Sequence, residues 1–246
     1  MTVISLVPSW TEMLIECGVN VVGRTRFCIH PQDQVHGIPA VGGTKDLNWE
    51  RVRTLGAGLL LLDQEENLPW MKEQSPIPTV VTHVTDLQSV AGEISKIADV
   101  LRDQKKALME LAQRWEKIGH QPRTWDWNSI PAEMEVLKKS QPDYEKLVYV
   151  IWKNPWMRVA QKTFIDSVLR HLGAERFLLS SEKKYPEFQL SDFDLKKTYF
   201  LFSSEPFPFH KKKQDLLQLG IEGSIVDGES FSWFGSRSLR FLEKQN

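Results

Sequence analysis

The chain has 246 residues, 41% hydrophobic and 26% charged, with a net charge of -1 at pH 7. That length accommodates one large domain or two small ones around a sizeable core, and the composition is that of an ordinary globular protein. The balanced charge excludes a general pull toward nucleic acid or anionic membrane, no apolar run reaches bilayer length, and two cysteines, Cys17 and Cys28, are too few for a disulfide framework.

Val3 to Val7 reads as a strand ending at Pro8-Ser9, with Ser9 placed to cap a short helix from Thr11 to Cys17. Val21–Thr25, Pro39–Val41 and Pro78–His83 are further strands, and Leu59–Asp63 is a continuous apolar strand of the kind buried on both faces. Asn48 caps a helix that ends at Gly56. These βα units predict a small parallel sheet over residues 1–85.

From Asp86 to Ile118 apolar residues recur at alternating three and four spacing, from Leu87 and Val90 through Trp115. The spacing predicts one helix, about 50 Å long at 1.5 Å per residue, packing along both ends as a bridge. Residues 119–145 are polar and rich in proline, which predicts an irregular excursion with one short helix, Ala132–Lys139. The alternation then resumes over 146–246: strands Leu147–Trp152, Thr198–Ser203 and Ser224–Val226, and helices Thr163–Leu172, Lys211–Leu219 and Ser236–Lys244. Lys211 to Lys213 reads as a solvated helix face. The fold class is α/β, with two lobes built on small parallel sheets and joined by a long helix.

Both halves carry a buried strand running into acidic or polar residues, LLLLDQEEN in the first and YFLFSSEPF in the second. Ligands of open α/β sheets sit outside the carboxyl ends of the strands, so both clusters are expected to face a common cleft. Aromatic residues gather at the same strand ends and loops: Trp10, Phe27, Trp152, Trp156, Phe207 and Trp233 among them. Each ring alone is more often structural than functional. Together they suit a large flat ligand, because rings in loops pack on each other or on something bound.

Enzyme signatures are lacking. There is no GxGxxG or GxxxxGK[ST], Gly42-Gly43-Thr44-Lys45 lacks the first glycine of a phosphate loop, and no GxSxG elbow is present. Cys28 and His30 lie two residues apart, a pair better read as a buried thiol beside a turn histidine than as a metal site. In SSEPFPF, Pro206 and Pro208 restrict the backbone around Glu205 and Phe207. Glu205 is expected either to pair with Arg237 across neighbouring loops or to face a ligand or a basic partner.

Taken together, VISLVPSWTEMLIECG, VVGRTRFCIHP, VGGTKDLNWERV, QEEN, IWKNPWMRVAQKTFIDSVLRHLGA, SSEPFPF and DGESFSWFGSR resemble the helical-backbone metal receptor superfamily. These are the class III substrate-binding proteins of ABC importers for cobalamin, ferric siderophores and haem. The resemblance spans nearly the whole chain outside Gly119 to Glu145 and looks closest to the cobalamin-binding-like branch. It implies two α/β lobes joined by one long helix, a ligand held between them, and a glutamate on each lobe that docks on a permease, for which Glu66 and Glu205 are the candidates.

The expectation is therefore a non-enzymatic, monomeric binding protein for a metal chelate of the corrinoid, haem or ferric-siderophore class, serving an ABC permease. No cofactor is built in, no nucleic acid is bound and no segment inserts in a membrane. Its expected ligand-binding residues are Pro8, Ser9 and Trp10; Phe27; Gly43, Thr44 and Lys45; Glu66; Trp152 and Trp156; Glu205 and Phe207; and Trp233 and Arg237. The alternatives are an enzyme or cytoplasmic carrier acting on a tetrapyrrole or other chelate, and an interaction protein whose cleft is filled by its own side chains. MTVISLVPSW lacks the features of a secretory signal, which places the chain as written in the cytoplasm, or in the periplasm if a signal has been removed.

Overall fold

The structure, a computed structural model, describes residues 1–118, 123–141 and 143–245. The chain divides into two units, Met1–Ile118 with Trp233–Arg240, and Gly119–Ser232 with Phe241–Asn246.

The first unit begins with β1 (Thr2–Ser5), α1 (Pro8–Glu16), β2 (Asn20–Thr25), α2 (Gln32–Val35), β3 (Ala40–Gly42), α3 (Trp49–Thr54), β4 (Leu59–Asp63), α4 (Pro69–Glu73) and β5 (Thr79–Thr82). The five strands form one parallel sheet in the order β3-β2-β1-β4-β5. Every residue of β4, LLLLD, is buried, as expected of a central parallel strand covered on both faces. Ile4, Leu6, Val41, Val52, Leu60, Leu62 and Met71 form the core on one side. Asn48 accepts a hydrogen bond from the Arg51 amide and caps α3, as its position predicts. Ser9 does not cap α1. The helix starts three residues before the expected Thr11, with Pro8, whose missing N–H costs nothing in a first turn and whose fixed φ suits it, while Ser9 is buried inside that turn.

The apolar stripe of 86–118 is present, but it is not one helix. It folds into α5 (Leu87–Val100) and α6 (Lys105–Ile118), separated by the non-helical Leu101 and a 3-10 turn at Arg102–Gln104, and the two helices pack side by side. A three-four stripe marks which face is buried, not how far the helix runs. Doubling back at the polar Arg102-Asp103-Gln104 buries Val90, Ile94 and Ile97 of one arm and Leu108, Leu111 and Trp115 of the other. Asp86 caps α5 in a reciprocal box with Ser89, and the amino terminus lies 3.5 Å from Asp103 at the turn.

The second unit contains β6 (Glu133–Lys138), β7 (Lys146–Trp152), β8 (Trp156–Arg158), α7 (Phe164–His171), β9 (Glu187–Phe188), β10 (Thr198–Ser203), α8 (Lys213–Gln218), β11 (Glu222–Val226) and α9 (Gly228–Ser232). Its six-stranded sheet runs β6-β11-β10-β7-β8-β9, with β7, β10 and β11 parallel at the centre and antiparallel strands outside them. The helix expected over 132–139 is instead β6, an edge strand on β11. Pairing with an existing strand supplies a ladder of hydrogen bonds, interrupted by two register shifts, which outweighs the modest helix propensity of EMEVLK. Residues 133–138 therefore extend the second sheet, while 123–132 are the turns and irregular backbone expected there. The last helix, α10 (Arg237–Gln245), supplies Arg237 and Arg240 to the first unit, where both pair with the buried Glu12.

In the second unit His171, in the last turn of α7, is 8% exposed, and its Nε2 has no hydrogen-bond partner among the described residues. Burial, helped by the positive charge of Arg123, holds the imidazole below its ordinary value of 6.5. A depressed histidine favours the fold in its neutral form: that contribution is complete above the unfolded value and is lost as pH falls below it. Chemical denaturation between pH 7 and 5 is expected to show stability falling with acid, and His171→Leu to remove part of that slope. An unchanged slope in the variant would contradict the assignment.

Candidate ligand-binding residues at the carboxyl ends of the strands

In the first unit the strand order reverses between β1 and β4, the position where open α/β sheets place their ligands. The loops around that point are tied together by two side chains. Asp63, the fully buried last residue of β4, accepts from the Thr82 hydroxyl at 2.7 Å and the Val84 amide at 3.1 Å on one oxygen, and from the Glu65 amide at 2.9 Å on the other. Burial pushes its pKa up against the effect of these bonds. Asn67 accepts from the Asp63 amide at 2.9 Å and donates to the carbonyls of Leu6 at 3.3 Å and Thr44 at 3.0 Å. The loops after β1, β3, β4 and β5 are thus fixed by one carboxylate and one amide.

Trp10 belongs to this frame. Its ring is completely buried, its N–H donates to the Thr82 hydroxyl at 2.9 Å, and Phe234 packs edge-on against it. It is a core residue and not an exposed platform for a ligand, because it is the large side chain that fills the space under α1. Trp233 is also buried, edge-on to His30 at 5.3 Å with the Arg237 guanidinium over its face. Arg237 donates to both oxygens of Glu12, at 2.7 and 3.0 Å.

The Gly42-Gly43 pair has a steric cause. Gly42 has φ +152, and a Cβ on Gly43 would stand 2.5 Å from the Asp46 carboxylate and 2.8 Å from the Arg26 guanidinium. Only glycine lets the two-pronged Arg26–Asp46 pair lie flat on this loop. Next in the loop, the Thr44 carbonyl meets Asn67 and Lys45 donates to the Glu65 carbonyl at 3.3 Å. After β2, the RFCIHP segment turns Cys28 inward, between the hydroxyls of Thr11 and Thr25, and leaves Phe27 and Ile29 about half exposed, at 49% and 50%. Glu66 is half-buried in the loop after β4, and Pro8 is half-buried at the start of α1.

In the second unit, Trp152 ends β7 with 39% of its surface exposed and Phe207 edge-on at 5.5 Å. Trp156, half-buried, lies parallel to Phe209 at 6.1 Å, with the Lys153 ammonium over its face. Phe207 and Phe209 are in contact at 4.6 Å, which answers why two phenylalanines follow a strand end: Phe209 is buried in the core and Phe207 supports Trp152. Glu205 accepts from the Ser232 hydroxyl, and the Gly228 amide donates to Ser204, so the loops after β10 and β11 are joined as well. A Cβ on Gly228 would strike Ser203 Oγ at 2.2 Å, which explains the glycine of DGESF.

Sequence reasoning passed over Asp63 and Asn67, and it weighed His83 only as a side contact to a chelate, without its pairing with Glu65, whose carboxylate lies 3.1 Å from the histidine Nε2. An aspartate closing an otherwise apolar buried strand was the available signal: a carboxylate there needs donors, and only neighbouring loops can provide them.

No protein-family model and no curated protein sequence matches the chain. Solved structures do. A periplasmic haem-binding protein, BhuT, in complex with two haems aligns over 99% of this chain and 96% of its own, with a TM-score of 0.74 and 18% identity. The chain has the fold of these binding proteins. The periplasmic vitamin B12-binding protein BtuF of Vibrio cholerae aligns over 99% of this chain and 94% of its own, at a TM-score of 0.67 and 15% identity. IsdE of S. aureus, solved with haem, aligns over 99% and 96%, at 0.70 and 12%. The architecture is thus the α/β fold that the sequence motifs imply.

Removing the charge of Asp63 while keeping its shape tests the frame. Asp63→Asn turns an amide N–H toward at least one of three donors, so denaturation is expected to show a loss of about 2 kcal/mol. Glu65→Gln, at a partly exposed pair, is expected to stay within about 0.5 kcal/mol of the parent. Equal effects in the two variants would contradict the role given to Asp63.

Proposed function

We propose that the chain is a binding protein, not an enzyme, for a metal chelate of the corrinoid, haem or ferric-siderophore class. The observation that carries this reading is the exposure of large apolar side chains at the carboxyl ends of the strands in both units: Phe27 and Ile29 in one, Trp152 in the other. Rings held out by a rigid frame bind a flat apolar face at little conformational cost. The likeness to proteins solved with haem or described as binding vitamin B12 supports the same ligand class. The partner that goes with this reading is an ABC permease, met by the carboxylates Glu66 and Glu205.

Of the tryptophans expected to bind ligand, Trp152 is the most exposed and Trp10 contributes only through stability. Tryptophan quenching and absorbance titrations with cobalamin, ferric haem and a ferric siderophore are expected to identify a ligand. Trp152→Ala should then weaken its binding by about 2 kcal/mol, the cost of truncating a ring at an energetic centre. Wild-type affinity in that variant would remove Trp152 from the site, and failure of all three ligands to bind would overturn the proposal.

A further inference from the structure

A sheet leaves a row of unpaired N–H and C=O groups along each outer strand, and such a row pairs with another strand unless something prevents it. The two sheets have four outer strands, β3, β5, β6 and β9. Three of them are protected. β3 is met by its own chain: the Asn48 amide donates to the Val41 carbonyl at 2.8 Å, and Leu47 pairs with Gly42. β9 is only two residues long. β6 carries Glu133, Glu135 and Lys138 and is broken by two register shifts against β11, and both charge and bulges spoil a template for pairing.

β5 has none of these devices. Its residues, Thr79-Val80-Val81-Thr82, are uncharged, and its parallel register with β4 is regular from Leu60↔Thr79 to Asp63↔Thr82. The Leu60 amide donates to the Pro78 carbonyl and the Gln64 amide to the Thr82 carbonyl, both at 2.9 Å, so the even-numbered backbone faces β4 and the odd-numbered backbone turns outward. The Val84 amide, which meets Asp63 at 3.1 Å, continues the alternation and turns the backbone of His83 outward too. Among the described residues no hydrogen bond takes up the outward backbone groups of Thr79, Val81 and His83. Side chains are not sealed here either. Thr79, Val80 and Val81 are half-buried where every residue of β4 is buried, and Trp70, Ile77 and Val81 pack on the core while staying partly exposed.

We propose that β5 is the docking surface for a second copy of this chain, β5 lying antiparallel to β5 about a two-fold axis and joining the two five-stranded sheets into one. This dimer stands in place of the monomer expected from the sequence, and it does not depend on which ligand the protein binds. A two-fold axis perpendicular to the sheet keeps every side chain on its own face, so residues brought opposite one another are both odd or both even. The register centred on Val81 is the one that uses all three outward residues of both copies. Val81 exchanges both backbone bonds with the partner's Val81, and Thr79 does so with the partner's His83. On the other face Val80 stands beside the partner's Thr82. The ladder ends for local reasons: Pro78 has no N–H to give, and beyond His83 the chain turns inward to Asp63 and caps α5 with Asp86.

The strand itself argues for this occupant. The partner has to offer an uncharged strand that matches the register, and a second β5 is such a strand, already extended, with no ordering entropy left to lose. The two-fold also closes on itself, so the pairing stops at two copies and leaves no further edge of this kind.

Sedimentation of the full chain is expected to give twice the mass of the chain, falling toward the single mass on dilution. Val81→Pro removes an N–H that β4 does not use, at an edge position where proline is accepted, so circular dichroism should hold while the protein sediments as one chain. Amide exchange read residue by residue should show Thr79, Val81 and His83 as slow as the inward-facing Val80 and Thr82 in the parent, and Thr79 and His83 faster in the variant. A cross-link fixes the register. In a Cys17→Ser background, with Cys28 fully buried, a short bismaleimide is expected to join Val81→Cys to its partner and to leave Thr79→Cys, roughly 14 Å from its own counterpart along such a ladder, unjoined. A parent that sediments as one chain at every concentration overturns the proposal, whether or not a peptide of another kind pairs with β5. So does rapid exchange of the three outward amides beside slow inward ones. A dimer that persists in Val81→Pro, or that joins Thr79→Cys and not Val81→Cys, overturns this interface and its register. If Val81→Pro does not fold, the exchange pattern of the parent and the cross-link decide without it.

Discussion

A carboxylate buried at the end of an apolar strand has to be met by donors, and in this protein the need is met by the loops themselves. Asp63 has no exposed surface and accepts from a hydroxyl at the end of β5 and from two amides in the connections after β4 and β5. Asn67 extends the frame to the connections after β1 and β3. Loops are ordinarily the least ordered parts of an α/β domain, and each backbone group fixed in advance is one that a ligand need not order on arrival. Trp10 is drawn into the same frame through Thr82, which explains a tryptophan in a short helix with its N–H in the core.

Given that frame, exposure acquires meaning. Phe27 and Ile29 project from a segment whose Cys28 is locked inward, so they are held out rather than loosely displayed. In the second unit Trp152 is backed by Phe207, and Phe207 by the buried Phe209. Exposing such groups loses hydrophobic stabilisation that folding would otherwise gain, at roughly 25 cal/mol per Å². In each unit, exposed apolar side chains held by their neighbours suit a ligand with a flat apolar body.

Much of this was legible in the sequence, for identifiable reasons. The strands Leu59–Asp63 and Thr198–Ser203 were read because a fully buried parallel strand is a continuous apolar run, and each was found with those limits. The helix hairpin was misread as one rod because α5 and α6 keep the same apolar phase through the turn. Residues 133–138 were misread as helix because an edge strand takes its stability from its neighbour, which local composition does not report. Trp152 does end a strand, whereas Trp10 lies within α1, and position along the chain does not say which way a ring points: Trp10 turned inward and Trp152 outward. The Asp63 frame joins residues up to 72 positions apart, from Trp10 to Thr82, a relation that no local pattern contains.

The central claim is that a metal chelate is bound by the loops at the carboxyl ends of the strands. Hydrogen–deuterium exchange, read with and without cobalamin, ferric haem and a ferric siderophore in turn, addresses it directly. With one of these ligands, exchange should slow in residues 26–31, 43–47, 64–67, 83–85, 152–156 and 204–209, while the edge strand 133–138 exchanges as before. Protection confined to other segments, or no protection by any of the three, would contradict the account.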